Sequence, residues 1–91
     1  MEKSVHFKVK LEDGARGPAL VVDGEELPLR NNKHTAEMRT GELVRIKFSF
    51  LGVAGSLGTL TIQRDGFNSF KITDRIVDGF TDGGWTGEMV I

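Results

Sequence analysis

Residues 4–11, Ser-Val-His-Phe-Lys-Val-Lys-Leu, alternate strictly between polar and apolar. Val5, Phe7, Val9 and Leu11 share one parity, and His6, Lys8 and Lys10 the other. Successive side chains of a strand point to opposite faces, so a period of two places one face on a core and one in water. Residues 43–51 repeat the pattern, with Val44, Ile46, Phe48 and Phe50 set against Arg45, Lys47 and Ser49. Shorter runs carry Leu60 and Ile62, then Phe70 and Ile72, then Trp85, Met89 and Ile91 on single parities. No window holds an apolar stripe of the helical period. The chain is therefore expected to be all-β.

The punctuation agrees. Asp-Gly occurs at 13–14, 23–24, 65–66, 78–79 and 82–83, and each pair can supply the positive φ angles of a tight turn. A two-residue turn at Asp23-Gly24 sets Leu20 opposite Leu27. Pro28 has no N–H to donate, so the strand near it belongs at an edge. Seven strands are expected, near 4–11, 19–22, 25–30, 43–51, 59–64, 68–74 and 85–91. The polar stretch 31–42 reads as a long crossover, with a helical turn around Ala36 to Arg39. Residues 65–77 and 78–90 align without gaps on an opening Asp-Gly-Phe. Two copies are too few for a repeat array, and the pair reads as two Asp-Gly turns, each opening a strand.

These features describe an immunoglobulin-like sandwich of two antiparallel sheets, with a small closed barrel as the alternative. The likeness is one of pattern only. The chain has no Cys and no Tyr, so it lacks the Cys…Trp…Cys signature and the tyrosine corner. Its 91 residues are the length of one domain, 1–91.

Composition narrows the function. Twelve basic and thirteen acidic residues leave a net charge of −1, so no overall field draws the chain to nucleic acid or an anionic membrane. Its apolar runs are too short to span a bilayer. Without Cys there are no disulfides, thiolate nucleophiles or cysteine zinc sites, and cytoplasm, periplasm and exterior suit it equally. The first residues lack the apolar stretch of a signal peptide. A cytoplasmic protein, or a secreted or periplasmic domain without its leader, fits that start.

The motifs point away from catalysis. Residues 54–58, Ala-Gly-Ser-Leu-Gly, approach the nucleophile elbow, but that elbow joins a strand to a helix, and here a strand follows. Residues 52–58 read instead as a mobile hairpin loop. His6 falls on an outer face and His34 in the crossover, neither with a chelating partner. Phe67 and Phe70 are three apart, so they cannot stack bases from one face as RNA-binding sheets do. The chain is expected not to be an enzyme.

Residues 77–87, Val-Asp-Gly-Phe-Thr-Asp-Gly-Gly-Trp-Thr-Gly, are the most distinctive stretch. Trp85, the only Trp, packs in the core by parity; displayed instead on a glycine-rich lip, it offers a sugar platform with Asp82, Thr86 and Asn68 as polar partners. Asp78 and Asp82 are the candidate calcium ligands, although Phe80 breaks the helix–loop–helix calcium pattern. The expected function is a non-catalytic binding module that contacts a protein or glycan through loops 52–58 and 78–85. A structural, self-associating domain forming a homo-oligomer through an unguarded C-terminal edge strand is the alternative. A calcium-dependent module is the third reading. Nucleic-acid binding and membrane insertion are not expected.

Overall fold

Strands form wherever the sequence alternates, because each alternating run can bury its apolar parity only by pairing into a sheet that packs on another. The computed structural model describes all residues from Met1 to Ile91. Eight strands follow one another without a helix: β1 (Glu2–Glu12), β2 (Arg16–Val22), β3 (Glu25–Leu27), β4 (Lys33–Arg39), β5 (Leu43–Leu51), β6 (Leu57–Arg64), β7 (Phe70–Arg75) and β8 (Asp82–Val90). They make two four-stranded sheets, ordered β4-β1-β6-β7 and β3-β2-β5-β8. Every pairing is antiparallel. The sheets face each other as a sandwich and do not close into a barrel. An immunoglobulin constant domain groups its strands in the orders 1-2-5-4 and 3-6-7, so the likeness here is one of architecture.

Thirteen buried apolar residues form a single core between the sheets. Val5, Phe7, Val9, Leu60 and Ile62 come from the first sheet, and Leu20, Val22, Val44, Ile46, Phe48 and Phe50 from the second. These are the parities that the alternation selects. Trp85 and Met89 pack against the core half-buried, and Ile91 is buried. The body measures 44 × 22 × 21 Å.

The turn at Asp23-Gly24 forms as expected. Both residues have positive φ, 51° and 81°, which gives the twist that two-residue hairpins need. Leu20 lies opposite Leu27. The strand before Pro28 is an edge, though it stops at Leu27.

The crossover expected over 31–42 is instead strand β4, with no helical turn. Asn31 and Asn32 take positive φ, 52° and 60°, and close a tight turn bridged by Arg30 and Lys33. Asn tolerates that region as Asp-Gly does. β4 then pairs along β1, with Ala36 opposite Val5. His34, Ala36 and Met38 face inward half-buried, while Lys33, Thr35, Glu37 and Arg39 face water. The period of two is present, but its inner residues are too small or too polar to stand out.

Candidate functional site

The registers place the loops at two ends. Turns 13–15, 28–32, 52–56 and 76–81 lie toward one end, and turns 23–24, 40–42 and 65–69 with both termini toward the other. The two loops singled out from sequence therefore share an end.

They are also tied together. The Gly52 N–H donates to the Thr81 carbonyl at 3.0 Å, and the Gly55 N–H donates to the Ile76 carbonyl at 2.8 Å. The Ile76 N–H returns the bond to the Ser56 carbonyl at 2.9 Å. Ser56 is fully buried. Its hydroxyl donates to the Asp13 carbonyl at 2.9 Å and accepts from the Val53 N–H at 3.0 Å. So 52–58 is not the mobile loop read from sequence but an anchored turn, and its serine is a strut linking three segments. Gly52 is required beside it, since a Cβ there would fall 2.5 Å from the Ser56 hydroxyl oxygen.

This anchored end displays apolar side chains. Val53 is 66% exposed, Val77 59% and Phe80 60%, and Leu51 stands exposed at the end of β5. Single exposed apolar residues are ordinary, but here several sit on two loops that are hydrogen-bonded to each other at one end of the sandwich. Sequence reasoning chose these loops for their glycines and did not single out these residues. The signal was apolar residues sitting outside any alternating run.

The residues nominated for sugar do not converge. Trp85 lies on the inner face of β8, opposite Phe48. Its ring covers Gly87, where no Cβ would fit, and meets the Phe70 ring at 6.0 Å and 57°. Thr86 points to the other face, opposite Lys47. Asp82 shares that outer face at the start of β8, opposite Leu51. Asn68 lies in the 65–69 turn at the far end. Asp78 is exposed in the Val77–Phe80 turn, and no three acidic or His side chains gather anywhere in the chain as a metal site.

The glycines of 82–87 have packing roles. Asp82-Gly83 does not turn; it opens β8 three residues before the expected start. Gly83 makes room for the Phe50 ring. Gly84, at φ 152°, lies where a Cβ would collide with the Phe48 carbonyl. Only the Asp78-Gly79 pair is a turn, closed by the Phe80 N–H on the Val77 carbonyl; Asp65-Gly66 makes the same turn under Phe67. The internal echo is thus two similar turns, each leading to a strand.

The C-terminal edge strand is capped at two points only, and the outward backbone groups of Thr86 and Glu88 between them have no partner. The Asp74 carboxylate accepts the Gly84 N–H at 2.8 Å, and the Arg64 guanidinium donates to the Val90 carbonyl at 2.7 Å. Both are groups that β8 turns away from β5. An inward carboxylate and a covering guanidinium are recognised ways to blunt an edge. His34 is also displaced from its expected place: it lies on β4 and its Nδ1–H donates to the Pro28 carbonyl at 2.9 Å.

Compared with protein-family models, curated proteins and solved structures, the chain matches none.

Proposed function

We propose that this chain is a non-catalytic module that binds a protein through the end of the sandwich built from 52–58 and 76–82. The observation that carries the reading is the exposure of Val53, Val77 and Phe80 on loops that backbone hydrogen bonds hold rigid. Apolar side chains on rigid loops lose little entropy on binding, and aromatic anchors dominate such interfaces. The sealed Ser56, which spends its hydroxyl on two backbone groups, fits a scaffold better than a reactive site. The turned-in Trp85 favours a protein over a glycan as the partner, because an indole resting on Gly87 and Phe70 offers little free face to a sugar ring.

The double variant Val53→Ser, Phe80→Ser tests this. Both side chains are mostly exposed, so the fold is expected to be retained. Proteins held by the immobilised wild-type chain are identified, and their affinity for the double variant is measured. Affinity is expected to fall at least about tenfold, while Lys8→Ser, Lys71→Ser, on the outer face of the first sheet, leaves it unchanged. Equal binding to both variants would overturn the proposal.

A further inference from the structure

The two flanks of the sandwich differ. On the β7–β8 flank, Trp85, Phe70, Asp74 and Arg64 fill or cover the gap between sheets. On the β4–β3 flank the gap is open, because β3 is only three residues long. A groove of about 570 Å³ runs there, floored by Val22, Leu27, Ala36, Met38 and Val44. Val22 and Val44 are core residues, so the groove reaches the core itself.

One wall is the unpaired edge of β4. The Asn32 carbonyl accepts the Val9 N–H, and the Thr40 N–H donates to the Met1 carbonyl, both at 2.8 Å. The even-numbered residues of β4 therefore face β1, and the odd ones turn their backbone groups outward. Lys33 is matched by Arg30 in the hairpin, and the Arg39 carbonyl accepts the Glu42 N–H at 3.3 Å. The N–H and C=O of Thr35 and Glu37, with the Arg39 N–H, face away from every other strand. That is a ladder for about five residues of another chain.

The rim is acidic. Glu2, Asp23, Glu25, Glu37 and Glu42 line the groove against a single cation, Arg39. None of the five is in an ion pair. This concentration stands out in a chain of net charge −1.

We infer that this flank takes a basic, extended peptide as an added strand on β4. Alternate residues of such a strand point to opposite sides. One set is apolar and covers Met38 and Leu27 in the gap. The other set points to the outer face of the first sheet, is Lys or Arg, and meets Glu37 and Glu2 there, while Glu25, on the inner face of β3 beside Leu27, adds attraction for a cationic strand from across the gap. Strand addition of this kind draws affinity from the main chain and specificity from alternating side chains. The charge disfavours nucleic acid, whose phosphates the rim would repel. A second copy is disfavoured too. Two-fold pairing of β4 with itself brings both acidic rims together, and the register centred on Glu37 sets that carboxylate against its own copy. The site is separate from the loop end, so either proposal can fail alone.

The probe is the capped peptide Lys-Val-Lys-Val-Lys-Val-Lys, titrated into the isotope-labelled full chain and followed by amide NMR. Shifts are expected at Thr35, Glu37 and Arg39. Binding is expected to be at least about tenfold tighter than for the same peptide with Glu in place of Lys. Two further peptides carry N-methyl groups on all the valines or on all the lysines. One of the two loses at least about tenfold in affinity and the other keeps it, because only alternate N–H groups face β4. The exposed double variant Glu25→Lys, Glu37→Lys is expected to weaken binding about tenfold or more; the methylated pair tests the proposal on wild-type protein should that variant fold poorly. Equal affinity for the acidic peptide, equal behaviour of the two methylated peptides, or shifts confined to the loop end would overturn it. So would shifts at Thr35 and Glu37 that grow with protein concentration alone, which would assign the edge to a second copy.

Discussion

Replacing Phe50 by Ala is expected to lower the unfolding free energy by about 3–5 kcal/mol, the range for deleting a buried aromatic ring. For a domain of this size that is a fall in Tm of roughly 15 °C or more. Phe50 is 1% exposed and stacks on Phe48 with centroids 5.6 Å apart. Its ring spans the sandwich between two glycines. A Cβ on Gly58 of β6 would come 2.5 Å from the ring, and one on Gly83 of β8 would come 2.8 Å from it. The two glycines form a slot that only the aromatic ring fills, so the cavity left by Ala has little to collapse into it. Phe50→Leu should recover part of the loss, and Gly58→Ala should cost about 1–3 kcal/mol by overpacking. Chemical denaturation of the three variants checks the set. A Phe50→Ala cost near 1 kcal/mol, the average for any substitution, would mean that the slot is not closed.

Gly84→Ala is expected to cost about 3 kcal/mol or more, from a backbone collision added to an unfavourable φ. The collision partner is the Phe48 carbonyl, which cannot retreat without breaking the β5–β8 ladder. Moving Gly84 itself would pull its N–H from Asp74. Gly24 and Gly41 supply the comparison. Both have positive φ, 81° and 86°, but open space where a Cβ would stand. Gly24→Ala and Gly41→Ala should each cost about 1–2 kcal/mol, the price of the left-handed region alone. If Gly84→Ala costs no more than these two, the close approach of β8 to β5 does not exist.

Much of the fold was legible where burial and local chemistry agreed. Val44 to Phe50 reads as a strand because large apolar residues mark one parity, and Leu20 meets Leu27 because Asp23-Gly24 fixes the register. β4 was illegible because its inner face carries His34, Ala36 and Met38, whose contrast with Lys33 and Thr35 is weak. The turn that launches it, Asn31-Asn32, contains no glycine. The early start of β8 was illegible for the opposite reason. Gly83 and Gly84 look like turn residues, yet they are there because Phe50 and the Phe48 backbone press against them from other strands. Long-range packing of this kind leaves no local trace.

The candidate site was legible in part. The sequence chose the two loops, and the topology places them at one end. It missed the display of Val53, Val77 and Phe80, since exposure depends on what covers a loop. The two caps on β8 were equally hidden, because Asp74 lies ten residues from Gly84 and Arg64 twenty-six from Val90.

Residues 82–87 are architecture: the opening of a strand whose Trp85 closes one flank of the sandwich. With one Trp and no Tyr, the intrinsic fluorescence of this chain reports on Trp85. Emission from the folded protein is predicted to be blue-shifted from that of the unfolded chain, and acrylamide is predicted to quench it much less efficiently. Emission and quenching unchanged between folded and unfolded protein would place the indole in open water, and the closed flank would then be wrong.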